Sequence, residues 1–183
     1  MFEPISGTFI IGIGHKARHG KDTTATHIIR ATGGLAERFS FADDLYATAR
    51  VIFGMTKKDG PTLQWLGTEG FRKKDEDFWL KCLYWNLYNK RPRIAVIADV
   101  RFPNEAEFVK KMGGVTIKVS RFNKDGSLYV VSDRDPNHPS ETSLDTYTGW
   151  DYSIENSSGD LAPLHKQADD ILWDLRDRIG ADF

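Results

Sequence analysis

Cysteine occurs once in 183 residues, at Cys82. A single thiol excludes an intramolecular disulfide framework and fits a reducing compartment. Long apolar runs are lacking too. Nothing approaches the ~20 residues that a membrane span needs, and Met1-Phe2-Glu3-Pro4 does not begin a signal peptide. Net charge is nearly absent, at −1 from 25 basic and 26 acidic residues. That argues against stable nucleic-acid binding over a broad surface and confines any anion site to a local patch. His15, His19, His27, His138 and His165 have no zinc-ligand spacing, and no Ser-His-Asp or Cys-His arrangement can be placed. Repeats and low-complexity segments are missing. What remains, with 40% hydrophobic residues, suffices for one domain over 1–183 with a core of its own. The chain is expected to be soluble and cytoplasmic, with no membrane partner.

The densest signal lies near the start. Phe9-Ile10-Ile11-Gly12-Ile13-Gly14 reads as a buried strand and runs into His15-Lys16-Ala17-Arg18-His19-Gly20-Lys21-Asp22-Thr23-Thr24. Strand, basic loop, Gly-Lys pair and helix, in that order, form a phosphate-binding P-loop. Backbone N–H groups and the helix N-terminus face a polyphosphate, and Lys21 adds a point charge. Two positions depart from G-x-x-x-x-G-K-[ST]. His15 stands at the first glycine, with Gly14 one step early, and Asp22 stands at the Ser/Thr. An ordinary strand-to-helix turn with solvated cations is the bland alternative.

Further apolar runs at Arg38–Phe41, Ile94–Ala98, Val115–Val119 and Tyr152–Ile154 read as strands. Helical spacing lies between them: Leu45, Ala49 and Ile52; Leu80, Leu83, Tyr84 and Leu87; Ala106 and Val109; and Leu161 through Ile179. Gly33-Gly34, Gly113-Gly114 and Ser158-Gly159 punctuate the connections. Alternating strands and helices predict an α/β fold of three layers with a mostly parallel five-stranded sheet, whose ligands sit at the carboxyl ends of the strands. The polar stretch 122–148, in which Leu128–Val131 alone looks strand-like, is long for a passive connection and is expected to be a lid or binding loop.

Chemistry-bearing residues follow the strands. Ile94–Ala98 ends in Asp99, the Walker-B pattern, where a carboxylate can hold Mg²⁺ or its waters. Arg101 follows at the same sheet edge, where its planar fork suits a phosphate or a base. Glu105 opens the next helix, and an Arg–Glu pair with a helix-start charge is the plain reading of both. Leu63-Gln64-Trp65-Leu66-Gly67-Thr68-Glu69-Gly70-Phe71-Arg72, with Trp79 behind it, suits stacking on a base and bonding its edge. It equally fits a helix start capped by Thr68, with Trp79 in the core. Asp43 reads as a helix cap. Arg121 after the fourth strand, with Arg134 and His138 in the polar loop, could bring positive charge to a transferring phosphoryl group.

Taken together and in order, these segments resemble the phage-type deoxynucleoside monophosphate kinases. The resemblance is carried by Gly20-Lys21-Asp22-Thr23, where Asp after the Lys is usual in that family, and by Phe41-Ala42-Asp43. Leu63–Glu69 with Arg72 and Trp79, Asp99-Val100-Arg101-Phe102-Pro103-Asn104-Glu105, His138-Pro139-Ser140-Glu141 and Asp151–Asn156 continue it. It implies a P-loop kinase transferring phosphate from ATP to a deoxynucleoside monophosphate with Mg²⁺. It further implies donor contacts at Arg18, Gly20, Lys21, Asp22, Thr23, Thr24 and Asn156. Acceptor contacts would lie at Phe41, Gln64, Thr68, Arg72, Trp79, Asp99, Arg101 and Glu105, and Mg²⁺ at Asp22 and Asp99. Catalytic cations would be Lys21, Arg101, Arg121 and Arg134. Tyr46 departs from the family at a position where a basic residue is frequent. A homodimer is compatible with the sequence. Two other readings stay open: another small P-loop kinase, of dephospho-coenzyme A or phosphomevalonate, and a nucleotide switch that hydrolyses ATP slowly without an acceptor.

Overall fold

A computed structural model describes residues 2–132, 135–157 and 160–180. Arg134 and the Ser158-Gly159 pair lie outside the described residues. The elements run β1 (Phe9–Gly14), α1 (Lys21–Ala31), β2 (Ala36–Phe39), α2 (Phe41–Phe53), α3 (Gly60–Gln64), a π-helical stretch (Trp65–Arg72) and α4 (Phe78–Lys90). They continue as β3 (Ile94–Val100), α5 (Pro103–Lys111), β4 (Val115–Phe122), α6 (Pro139–Thr142), β5 (Tyr152–Ser157) and α7 (Ala162–Ile179). The five strands form one sheet in the order β2-β3-β1-β4-β5, and every pairing is parallel. The predicted three-layer α/β architecture is the one adopted.

Both faces of the sheet are covered, which is why its strands read as unbroken apolar runs rather than as alternating ones. Ile11, Ile13, Val96, Ala98, Ile117, Val119 and Ile154 pack with Ala25 and Ile28 of α1 and with Leu164, Ala168, Leu172 and Leu175 of α7. Ile10, Phe39, Ala95 and Ile97 pack with Leu80, Leu83 and Leu87 of α4 and with Ala106, Phe108 and Val109 of α5. Each fully buried isoleucine on these faces contributes about 1.5–3 kcal/mol of apolar transfer free energy. A smaller cluster, Ala49, Leu63 and Leu66, joins α2 to α3 and the π-helical stretch in a side lobe. Among the described residues no helix is long and apolar enough to cross a membrane.

Several boundaries differ from the sequence expectations, each for a local reason. The second strand ends at Phe39, because Ser40 turns the chain and its hydroxyl accepts from the Ala42 amide, capping α2. The last helix starts after Leu161, which is 51% exposed and outside the buried stripe. Leu128–Val131 forms no strand; a single antiparallel bridge joins Leu128 to Phe122. The stretch 122–148 is not uniformly a free loop. Its second half carries α6, places Leu144 in the core at 3% exposure, and bonds the Tyr147 hydroxyl to Glu107 at 2.7 Å.

Because the strands are parallel, the P-loop, Ser40, Asp99, Arg121 and Asn156 all emerge at one edge of the sheet. The chain order reverses around central β1, so the P-loop stands at the switch point. The opposite edge is closed more tightly. A Cβ on Gly114, at the entry to β4, would run into the Ile10 carbonyl oxygen and lie 2.9 Å from Ile10 Cβ. Gly114→Ala should therefore destabilise the fold by about 1–3 kcal/mol through overpacking, read as a lower urea midpoint with an unchanged m-value.

Candidate active site

The loop leaving β1 is wound by left-handed residues. His15 has φ +98°, Arg18 +57° and Gly20 +110°. His15 thus keeps the backbone conformation for which a P-loop uses glycine, at a strain cost of order 1–3 kcal/mol. The neighbouring Gly14 is required on other grounds. A Cβ there would lie 2.6 Å from the Trp150 ring and 2.9 Å from the Val100 carbonyl. The His15 ring is 5% exposed, lies 3.4 Å from Ser120 Oγ and meets His19 edge to face. Burial, reinforced by Lys118, pulls its pKa down to about 3, so it is neutral.

His19 is fully buried and braces the loop from behind. Its Nε2–H donates to the Tyr129 carbonyl at 2.9 Å, and Nδ1 accepts from the Arg121 amide at 3.1 Å. These two backbone partners select the neutral Nε2–H tautomer, and burial lowers the pKa in the same sense. Asn156 at the end of β5 donates to the His19 carbonyl at 3.0 Å. At 9% exposure it clamps the back of the loop. Thr24 is likewise turned inward, its hydroxyl donating to the Gly20 carbonyl at 3.1 Å. Thr23 is half-buried, and its hydroxyl makes no hydrogen bond among the described residues. Arg18 is exposed at the tip of the loop.

Lys21 opens α1 and folds back to donate its ammonium to the Lys16 carbonyl. It is 5% exposed. Desolvation, with the nearby Arg101 charge adding to it, depresses its pKa to about 7, while Glu141, Asp22 and Asp99 act in the opposite sense. Asp22 points outward from the first turn of α1 and pairs with the half-exposed Arg38.

Beside the loop lies a cleft of about 760 Å³. Its walls include Phe41, Gln64, Thr68, Arg72, Trp79, Asp99, Arg101 and Glu105, so the eight residues expected around an acceptor share one cavity. Four of them also belong to the framework of the fold. Asp99 is a cap: Oδ1 accepts from the Phe41 amide at 3.1 Å, and Oδ2 from Ser40 Oγ at 2.7 Å and the Ala42 amide at 3.0 Å. Both of its oxygens thus hold the start of α2. Glu105, 2% exposed, bonds Arg72 Nη2 at 2.7 Å through Oε1. Its Oε2 accepts the Arg101 and Phe102 amides at 2.7 and 3.2 Å. Its carboxylate is thus satisfied from within, although burial alone pushes its pKa up. Thr68 sits inside the π-helical stretch, so it caps no helix. Trp79 is 3% exposed, and its indole N–H donates to the Gly67 carbonyl at 3.0 Å, fixing that stretch to α4.

The cleft's two arginines are each tethered by a single nitrogen. Arg72 lies on the Phe102 ring, 4.0 Å from its centroid, and uses Nη2 for Glu105. Arg101 uses Nη1 for the His15 carbonyl, the Ser140 carbonyl and Glu141 Oε1, at 3.2, 3.4 and 3.0 Å. The remaining nitrogens of both make no hydrogen bond among the described residues. Each arginine therefore presents an open donor edge, the arrangement that receives a planar or tetrahedral oxyanion.

Lys58, Phe102, Ser140 and Glu141 also line the cleft and were not foreseen as site residues. Within His138-Pro139-Ser140-Glu141 the sequence singled out His138 alone for a chemical role, and His138 lines the cleft as well. Lys58 lay in an unmarked connection, yet it lines the same cleft as Tyr46. Arg121 goes elsewhere. It belongs to β4 itself, stacks on Tyr129 at 4.2 Å, and buries its Nε, which has no hydrogen-bond partner among the described residues. Among the described residues no group of three or more His, Cys, Asp or Glu could hold a metal ion.

No protein-family model matches the chain. It is 28% identical over 180 residues to a putative deoxynucleotide monophosphate kinase of Acanthamoeba polyphaga mimivirus, covering 81% of this chain and 88% of that protein. A deoxynucleoside-5'-monophosphate kinase of Escherichia phage T5 is 29% identical over 125 residues, or 59% of this chain and 48% of that one. Shikimate kinase from Acinetobacter baumannii, solved with shikimate, superposes with a TM-score of 0.52 at 16% identity, over 93% of this chain and 94% of that one. The chain is thus similar in sequence to proteins named deoxynucleotide monophosphate kinases and has a P-loop kinase fold.

Glu105 is the buried member of its ion pair and also holds two backbone amides. Glu105→Ala should cost about 3–5 kcal/mol, because it strands a partly buried guanidinium and uncaps α5. Equilibrium urea unfolding measures this, and the loss should exceed that of Glu105→Gln.

Proposed function

We propose that the protein transfers the γ-phosphoryl group of ATP to a deoxynucleoside monophosphate, giving ADP and the deoxynucleoside diphosphate. The observation that carries this reading is the pair Arg72 and Arg101. Two tethered guanidinium edges face one cleft beside a P-loop, which suits an acceptor that itself bears a phosphate. The names of the two viral relatives supply the substrate class.

In this reading the triphosphate lies along the loop amides and the start of α1, and Lys21 exchanges the Lys16 carbonyl for phosphate oxygens. The acceptor monophosphate lies between Arg72 and Arg101, with Lys58 at the rim. One of its oxygens attacks the γ-phosphorus in line as the bond to the β-bridging oxygen breaks. The acceptor phosphate is already ionised, so no general base is required, and positioning and charge stabilisation carry the rate. Mg²⁺ would neutralise the β- and γ-oxygens. It suits a site without a protein cage, since it prefers phosphates and waters to a full set of side chains, and Asp22 and the Thr23 hydroxyl are the groups here that would hold it. The segment between β4 and α6 closes over the phosphates and excludes water, limiting hydrolysis without an acceptor.

The wall around Trp79 favours a deoxyribose. Its indole N–H is already bonded to Gly67, so a 2′-hydroxyl against it would be buried without a partner. That costs about 1–3 kcal/mol. Coupled measurement of ADP release with the four deoxynucleoside monophosphates, their ribonucleotides and no acceptor tests the reading. The best deoxynucleotide should exceed its ribo form by about ten- to a hundredfold in kcat/KM, and acceptor-free release should be slow. Arg72→Ala and Arg101→Ala should each lower kcat/KM for the acceptor about tenfold or more while ATP binding changes little. Turnover of no deoxynucleotide would end the proposal.

Lys21 generates a pH prediction. Its pKa is depressed to about 7 in the free protein, and a bound polyphosphate should return it toward the ordinary lysine range. A group whose pKa rises on binding takes up a proton, so affinity is highest below the free pKa and falls as pH climbs above it. Calorimetric titration of MgATP at pH 8.5, in two buffers of different ionisation enthalpy, should show uptake approaching one proton. Lys21→Ala should abolish that uptake and most turnover while leaving the fold intact.

A further inference from the structure

We propose that Glu141 is a positioning residue that holds the P-loop and the acceptor arginine in one frame, an inference that rests on the kinase reading above. Its two oxygens go to two different parts of the site. Oε2 accepts the Ala17 amide of the P-loop at 2.8 Å, and Oε1 accepts Arg101 Nη1 at 3.0 Å. The side chain is 4% exposed.

Glu141 is itself held from several directions. Its backbone carbonyl accepts Lys16 Nζ at 2.7 Å, and the same ammonium reaches Asp145 at 2.5 Å. His138 caps the short helix through its ring, which accepts the Ser140 amide. Leu144, just beyond, is in the core. A carboxylate so fixed does not drift with a mobile loop. It transmits the position of β1's loop to Arg101.

The geometry explains why the acid is needed. Arg101 Nη1 has three acceptors, of which two are neutral carbonyls. Glu141 is the charged one; it joins Arg101 to the Ala17 amide, while the His15 carbonyl ties Arg101 to the same loop directly. Gathering these acceptors on Nη1 leaves the Nε–Nη2 edge of Arg101 directed to a ligand as a bidentate fork. A glutamine cannot replace the acid: it has one acceptor oxygen, and its NH₂ would oppose either the Ala17 N–H or the Arg101 N–H. Loss of Glu141 should thus weaken both substrates, whereas loss of Arg101 weakens the acceptor.

The test compares wild type, Glu141→Ala, Glu141→Gln and Arg101→Ala for folding, for MgATP binding by calorimetry and for kinetics with each deoxynucleoside monophosphate, with and without acetate. Glu141→Ala should raise the ATP dissociation constant at least fivefold and lower acceptor kcat/KM at least thirtyfold. Acetate should restore part of both saturably, by occupying the place of the missing carboxylate, while chloride at equal ionic strength should not. Glu141→Gln, which keeps the volume, covers a failure of the alanine variant to fold and should show both losses without acetate rescue. Active wild type with both Glu141 variants within threefold of it overturns the proposal and leaves the kinase reading standing. Tighter ATP binding in the variants also overturns it, since Glu141 would then be an occupant that the phosphates displace. If the wild type phosphorylates no deoxynucleotide, the kinase reading fails, and the ATP-binding arm with acetate rescue alone decides the role of Glu141.

Discussion

The buried carboxylate of Glu105 is the junction on which the cleft depends. Placing an acid at 2% exposure is costly, and burial drives its pKa upward. The cost is offset because four of the site's parts converge on it. It fixes the turn after β3 through the Arg101 and Phe102 amides, starts α5, and holds Arg72 against Phe102. A neutral isostere could keep some of these bonds but would not balance the Arg72 charge in so dry a setting. The same acid therefore sets the backbone of one cleft arginine and the side chain of the other. Through Glu141, Arg101 is in turn joined to the Ala17 amide. Arg72, Glu105, Arg101, Glu141 and the P-loop form one connected chain of charge-assisted bonds across the sheet edge, in which each link orients the next.

On the far side of that chain the P-loop is braced by imidazoles rather than by glycine alone. His15 holds a left-handed backbone that a β-carbon disfavours, and its ring is packed so that the strain cannot relax. His19 is bonded at both nitrogens. Both rings are kept neutral by burial, so they add no charge to a region already holding Lys16, Lys21 and Arg101. Their service is shape. The substitution at the first glycine position therefore changes how the loop is supported, while its winding is kept.

Much of this was legible in the sequence. Five apolar runs, the Gly20-Lys21 pair and the carboxylate ending the third run predicted the parallel sheet and the edge at which chemistry gathers, because burial on both faces and a P-loop leave strong local patterns. The eight residues that together line the cleft could be named for the same reason. What each side chain does there could not. Asp99 reads as a metal ligand, and an acid at a strand end is the same string whether or not it also meets a helix start; the Ser40, Phe41 and Ala42 donors that its oxygens accept lie about sixty positions away. Asn156 and Thr24 carried ligand-like chemistry but face inward. Glu141 was overlooked because its partners, Ala17 and Arg101, are distant in sequence and no periodicity marks such a meeting. The π-helical turn at Trp65–Arg72 left no signal either, as its apolar spacing also fits a helix start.

In the proposed reading a chain with a net charge of −1 would hold two polyanions, and the site's internal pairing is consistent with that. Arg72 is paired with Glu105 and Arg101 with Glu141, and Glu141, Asp22 and Asp99 partly offset the burial and the Arg101 charge that depress Lys21. Attraction for phosphate would then lie in orientation. Arginine edges that point at a ligand, and an ammonium bonded to a backbone carbonyl that it can exchange, cost little to redirect when an anion arrives. In a cleft partly closed to water, charges several ångströms apart interact several times more strongly than they would in solvent. Local arrangement, and not surplus positive charge, is what would make this surface a site for phosphates, which is why composition argues against a general anion-binding surface without arguing against a phosphate site.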